Sequence, residues 1–291
     1  MTSKTDEITR EYFNSLLITP QYLDSDLADT KISMFGRNYN TPIMTAALSH
    51  LKSCDNAMVE FGKGAKLAEA MHFVGMGEDS ELEDIIATGA DTVKIIKPHA
   101  DDAEVFRRID HAVSHGAIAV GMDIDHSFSW NGEYDNVLGL PMKPKSTKQI
   151  SEFVSAAKVP FIVKGVLSAK DAEKCVEAGA AAIIVSHHHG IMDCMVPPLM
   201  VLPEIVNAVN GQVKIIVDCC VENGMDVFKA LALGADGVGV GRALMDPLKD
   251  GAKGVADKID QMNRELITVM SRTGAKTVAD IDPSVIRYRA F

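Results

Sequence analysis

Positive charge is what this chain has little of. Lysine and arginine total 29 against 40 acidic residues, a formal net charge of −11, and no basic run offsets it. Such a surface repels a phosphate backbone or an anionic membrane, so neither nucleic acid nor a membrane is an expected partner. Long apolar runs are also missing: no stretch reaches the roughly 18 residues that a bilayer-crossing helix needs. The opening residues, Met1-Thr2-Ser3-Lys4-Thr5-Asp6-Glu7, hold no apolar secretory core, so a cytoplasmic location is expected. Cysteine is sparse and odd in number. Cys54, Cys175, Cys194, Cys219 and Cys220 read as reduced thiols, not as a disulfide framework.

Apolar material is plentiful, at 47% of the residues against 24% charged, and 291 residues suffice for one α/β barrel of roughly 250 residues. From Pro42 onward, short apolar runs alternate with segments of helical periodicity, the pattern of repeated βα units. Eight runs qualify as strands, at 43–47, 73–76, 92–96, 117–123, 160–165, 181–186, 214–218 and 237–241, with helices such as 169–178 and 226–233 between them. Nearly continuous apolar strands are buried on both faces, as parallel strands under helices must be. The expected fold is a (β/α)8 TIM barrel spanning 41–291, preceded by a lead-in over 1–40 and carrying a long loop at 125–146. That loop contains Trp130, the only tryptophan, as either a lid over a ligand or a rim contact. Gly89-Ala90-Asp91, Gly179-Ala180-Ala181 and Gly234-Ala235-Asp236 mark helix ends, because glycine there supplies a left-handed cap.

Catalytic groups in such barrels come from the C-terminal strand ends, and here those ends are unusually polar. Six of the nine histidines fall at them or in the loops beyond: His50, His99, His126, His187, His188 and His189. Lys164 ends the otherwise apolar run Phe161-Ile162-Val163, where an ammonium must find an anion or a cofactor carbonyl because an unpaired buried charge is costly. The vicinal pair Cys219-Cys220 reads as small buried thiols, with a redox pair or metal thiolates as the alternative.

Val163-Lys164-Gly165-Val166, Ala169-Lys170-Asp171-Ala172, the run from Ile183 to His188, Leu202-Pro203-Glu204-Ile205-Val206 and the run from Asp226 to Ala235 resemble the FMN-dependent 2-hydroxy-acid oxidase and dehydrogenase family, of glycolate oxidase and lactate oxidase type. The resemblance implies a flavin-binding barrel, commonly a tetramer, in which a hydroxy acid gives a proton to histidine and a hydride equivalent to the flavin. Carried over, it makes His188 the general base, Asp123 the histidine's partner and Lys164 the stabiliser of charge on the reduced flavin. Thr45, Ala46 and Ala47 would approach the flavin ring through their backbone, Ser186 and Asp218 would line its site, and Gly239, Gly241 and Arg242 would hold its phosphate.

The chain departs from that pattern at several positions. Ile191 stands where the family's carboxylate-clamping arginine belongs, Lys97 where a substrate tyrosine does, and Ile95 where a glutamine touches the flavin. After strand seven, Asp-Gly-Gly with an arginine two residues on becomes Asp218-Cys219-Cys220-Val221-Glu222, which alters the phosphate site. Three readings follow. In the first, a divergent FMN-dependent oxidoreductase acts on a small 2-hydroxy-acid-like substrate, with Lys97, His187 or His189 as the new anion partner. In the second, a flavin-free enzyme binds a metal through the His187-His189 cluster. In the third, the barrel binds a ligand without catalysis.

Overall fold

The computed structural model describes residues 3–289. All eight apolar runs become strands, each within two residues of its expected ends: β1 (Ile43–Thr45), β2 (His72–Val74), β3 (Thr92–Ile96), β4 (Ala119–Asp123), β5 (Phe161–Val166), β6 (Ala182–Val185), β7 (Lys214–Val217) and β8 (Gly237–Val240). They form one parallel sheet in the order β1-β8-β7-β6-β5-β4-β3-β2. The sheet curls shut between β1 and β2, where Thr45 N donates to Met71 O at 3.2 Å and Gly75 N to Leu48 O at 2.9 Å. Phe73 N also donates to Thr45 Oγ1 at 2.9 Å, so a side-chain oxygen completes the seam.

Side chains that alternate along a strand divide the core in two. Ile162, Ile184, Ile216, Val93 and Ile95 fill the inside of the barrel, while their neighbours Phe161, Val163, Ile183 and Val185 join the larger cluster under the helices. The antiparallel hairpin of Ile32–Met34 and Arg37–Tyr39 adds Met34 and Tyr39 to the inner cluster. Met34 reaches the first residue of β8, Gly237, so the hairpin plugs the N-terminal end of the barrel. The opposite, C-terminal end is left for chemistry.

Nine α-helices are present among the described residues: α1 (Lys4–Ser15), α2 (Ala57–Leu67), α3 (Asp79–Ala87), α4 (Asp102–Ser114), α5 (Thr147–Ala157), α6 (Ala169–Glu177), α7 (Pro198–Val209), α8 (Gly224–Ala232) and α9 (Gly251–Arg272). None is long and apolar enough to cross a membrane. Gly89, Gly179 and Gly234 follow α3, α6 and α8 with φ of +76°, +83° and +104°, the left-handed geometry their joints predict.

The segment before β1 does more than lead in. Ser3 caps α1, and the helix lies across the loops that follow β6 and β7: Thr5 Oγ1 donates to Met192 O at 2.8 Å and Arg10 Nη1 to Cys220 O at 2.7 Å. Beyond α1, Leu16–Ile18 pairs antiparallel with Ile286–Tyr288. The 125–146 loop carries its own short hairpin, Asn136–Val137 with Leu140–Pro141, and Trp130 stands 75% exposed on it.

Candidate active site

Four strands deliver charged groups to one buried point at the C-terminal end. Lys164 on β5 is 3% exposed, and its Nζ lies 3.1 Å from Asp123 Oδ1 on β4 and 3.8 Å from Asp218 Oδ2 after β7. Lys97, after β3, takes the other oxygen of Asp123 at 2.8 Å. Burial pushes the Lys164 ammonium toward neutrality, but Asp123, Asp218 and Asp125 outweigh it and hold the pKa well above the ordinary lysine value. Burial likewise favours the neutral form of Asp123, and Lys164, Lys97 and His188 together override it. Asp123 is therefore a carboxylate clamped between two ammoniums.

The three consecutive histidines diverge. His187 is fully buried under α1, where Nε2 meets Thr9 Oγ1 at 2.9 Å and Nδ1 accepts from Gly190 N at 3.2 Å. Burial depresses its pKa to about 4, so it is neutral and turned away from the mouth. His189 points to Asp6 of α1, Nδ1 to Oδ1 at 3.4 Å. Only His188 faces the charged cluster. Its φ of +51°, shared by His189 at +55°, turns the chain sharply enough to send adjacent rings in different directions.

His188 Nδ1 sits 3.3 Å from both oxygens of Asp125, 3.3 Å from Lys164 Nζ and 3.7 Å from Asp123 Oδ1. The nearest carboxylate is thus Asp125, with Asp123 behind it. Gly165 makes room for this arrangement: its φ is +95°, and a Cβ there would lie 2.7 Å from Asp125 Cγ. On the other side of the ring, His188 Nε2 meets His126 Nε2 at 3.2 Å, and His126 Nδ1 reaches Asp135 at 3.3 Å. Burial, with the charges of Lys97 and His188, lowers the His126 pKa. Asp125, His126 and His188 offer donor atoms within 4.8 Å of one another, as do Asp6, His187 and Cys220. In the second group each atom already has a protein partner: Cys220 Sγ donates to Asp6 Oδ1 at 3.2 Å and His187 holds Thr9.

Beside this cluster, a cavity of about 350 Å³ opens between the ends of β7, β8 and β1 and the flank of α1. Ala46, Gly239, Gly241 and Arg242 line it, as do Arg10 and Asp6 from the helix. The Thr45 hydroxyl is buried in the seam, 2.8 Å from His72 Nδ1, so a flavin contact from this residue would come from its backbone. Cys219 and Cys220 both adopt positive φ, +75° and +56°, the conformation natural to a glycine pair. Their thiols engage protein groups, Cys219 with Asp218 Oδ1 at 3.0 Å and Cys220 with Asp6. Burial raises both thiol pKa values, Cys220 to about 12, so both are inert protonated thiols.

A parallel barrel with a buried lysine–aspartate–histidine cluster beside such a cavity has recognisable relatives. The family described as FMN-dependent dehydrogenase matches residues 1–151 and 142–288. The chain belongs to that family. L-lactate oxidase of Lactobacillus jensenii is 32% identical over 309 residues, covering 94% of this chain and 76% of the relative. Human 2-hydroxyacid oxidase 2 is 28% identical, covering 97% and 91%. The crystal structure of mandelate oxidase superimposes with a TM-score of 0.89 at 25% identity, over 99% of this chain and 90% of that one. The protein is accordingly an oxidoreductase and a flavoprotein with FMN as its cofactor.

The residues of this FMN-dependent family member fit that group, with one change. A Cβ on Gly239 would sit 3.1 Å from Asp218 Cβ, and one on Gly241 3.3 Å from Ala46 Cβ, so the cavity wall is cut back to bare backbone where a planar ring or phosphate approaches. Arg242 and Arg10 supply cations at the far end. The change is that two carboxylates, Asp6 and Glu222, share that end. Two residues here escape a reading by strand ends, Asp6 and Arg10 on α1, whereas Asp125 and His126 lie two and three positions past the end of β4, in the loop beyond that strand end. Nothing in the sequence marked that helix as part of the site.

Proposed function

We propose that this protein oxidises the CH–OH group of a small 2-hydroxy-acid-like substrate, with His188 as general base. The observation that carries the reading is the His188 ring, whose Nδ1 is held by Asp125 and Lys164 and whose Nε2 is left to meet only His126 among the described residues. Its neighbours support the base role. A proton accepted at Nε2 creates an imidazolium, which Asp125 stabilises directly and Asp123 from 3.7 Å. His126 Nε2 occupies the direction from which a substrate hydroxyl would come, so substrate replaces that contact. Lys164 stays charged and offers its ammonium to negative charge beside it.

FMN, when bound, supplies the acceptor for the electron pair leaving the substrate carbon. Thr45, Ala46, Ala47, Ser186, Asp218, Gly239, Gly241, Lys164 and Arg242 are the residues proposed to hold it. Among the described residues, the groups expected to replace the arginine missing at Ile191 are already engaged elsewhere. Lys97 is already neutralised by Asp123, His187 faces α1 and His189 faces Asp6, which leaves His126 beside His188 to recognise the group next to the hydroxyl. A neutral imidazole there favours a hydrogen bond over an ion pair.

The protein is further proposed to be a cytoplasmic homo-oligomer, a tetramer by analogy with the family. Free thiols at all five cysteines support a reducing compartment, and the exposed Tyr22, Leu23 and Leu27 support self-association; light scattering tests the second point. The catalytic reading is tested by anaerobic titration of the FMN-loaded protein with a panel of 2-hydroxy acids and their amides. At least one should bleach the visible flavin band. If dithionite bleaches it and no substrate of either class does, the reading fails.

A further inference from the structure

The phosphate end of the cavity is electrically unusual. The position that carries an arginine in the resemblance carries Glu222, yet a guanidinium still stands there, because Arg10 of α1 lies 3.6 Å from Glu222. Arg10 Nη1 is anchored by Cys220 O at 2.7 Å and by the buried Asp226 carboxylate at 2.8 Å, which fixes the group at the cavity edge. One turn earlier on the same helix face, Asp6 Oδ2 lies 3.0 Å from Arg242 Nη1. Asp6 is almost wholly buried, accepts a hydrogen bond from the Cys220 thiol at 3.2 Å, and stays ionised because that bond and Arg242 overcome the cost of burial.

Resting on the FMN reading above, we propose that α1 completes the cofactor site: Arg10 is a cation for the FMN phosphate, and Asp6 is an internal counter-ion that the phosphate displaces from Arg242. Two arginines and two carboxylates, Asp6 and Glu222, line this end, so a phosphate dianion entering beside an unmoved Asp6 would leave the end with excess negative charge. Exchange of one anion for another on Arg242 avoids that. Glu222 need not move, because its side chain is 60% exposed and water screens it. The cofactor's arrival is thereby coupled to the seating of α1, whose Thr9 and Asp6 also hold His187 and His189.

The test compares FMN with riboflavin, which lacks the phosphate, by quenching of flavin fluorescence on flavin-stripped protein. Asp6→Asn removes the competing charge with little change of shape and should tighten FMN about tenfold, while riboflavin binding stays within about twofold, the scale of one charge-assisted contact. Arg10→Gln should weaken FMN about tenfold and spare riboflavin, and Arg10→Lys should restore part of the loss. Thermal melting checks that each variant is folded; should Arg10→Gln not fold, Asp6→Asn and Arg10→Lys still decide. Equal shifts for FMN and riboflavin, or no shift for either, would overturn the role of α1 and leave FMN binding standing. Absence of FMN binding to both the natural protein and Asp6→Asn would overturn this proposal and the FMN reading together.

Discussion

The two halves of the site are built differently. The reacting half, around Lys164, Asp123, Asp125 and His188, is assembled from residues of β4 to β6 and the loops just past them, and its charges are matched inside the barrel. The half proposed to hold the phosphate, around Arg242 and the Cys219-Cys220 loop, depends on a helix from the far end of the chain, and there the Asp6–Arg242 pair is the contact that the phosphate is proposed to replace. A buried network with its charges paired is rigid and already organised, whereas an arginine such as Arg242, 46% exposed at a cavity edge, can exchange one anionic partner for another. On the proposed assignment, the first half sets the chemistry and the second sets occupancy.

Removal of the base should break the comparison most sharply. His188→Ala is expected to slow substrate reduction of the flavin by about 10²–10⁴-fold while leaving the bound flavin's spectrum unchanged, measured by anaerobic stopped flow. Unchanged reduction would move the base elsewhere. Next in size is Gly165→Ala, which forces a side chain into φ +95° and into Asp125. It should cost about 1–3 kcal/mol in denaturant unfolding and lower kcat with little change in FMN affinity. Equal loss of FMN binding would mean that the two halves are not separable.

A smaller effect is expected at His126. His126→Ala should raise KM by about tenfold and change kcat less, the pattern of a residue that binds the substrate without taking its proton. Smallest at neutral pH, but visible in acid, is the contribution of buried neutral histidines. His187 and His72 titrate at about 4 and about 3 in the folded protein, because burial disfavours their charged forms, against 6.5 unfolded. The unfolded chain thus takes up protons first, so stability is full above pH 6.5 and falls progressively as the pH drops toward those folded values. Asp123 and Asp125 have depressed values, so their contribution is present above pH 3.8 and is lost as the pH falls through their folded pKa values. Thermal melting between pH 8 and pH 4 should show the histidine loss, with a shallower slope for His187→Gln; an identical slope would remove His187 from the account.

The barrel was legible because its strands are short apolar runs with polar ends, and local pattern decides such elements. β2 was read one residue late, at Phe73, because His72 looks polar; its ring is in fact buried against Phe61 and bonded to Thr45. Lys164 was legible for the same local reason, a charged group ending an apolar strand, whereas His188 was singled out from its neighbours by the family resemblance. His187 was not legible, since a positive φ at the next residue, invisible in composition, decides which of three identical side chains faces the mouth.

The amino-acid sequence alone determined the βα rhythm, the polar strand ends and the family, because periodicity and motifs are local properties. Only the tertiary structure decided that Asp125 stands nearer His188 than Asp123 does, that His126 faces the base, and that Asp6 and Arg10 reach a loop more than 200 residues away. Those pairings follow from how α1 and the loop after β4 pack over the barrel mouth. Packing of segments distant in the chain is the one thing a local pattern does not carry.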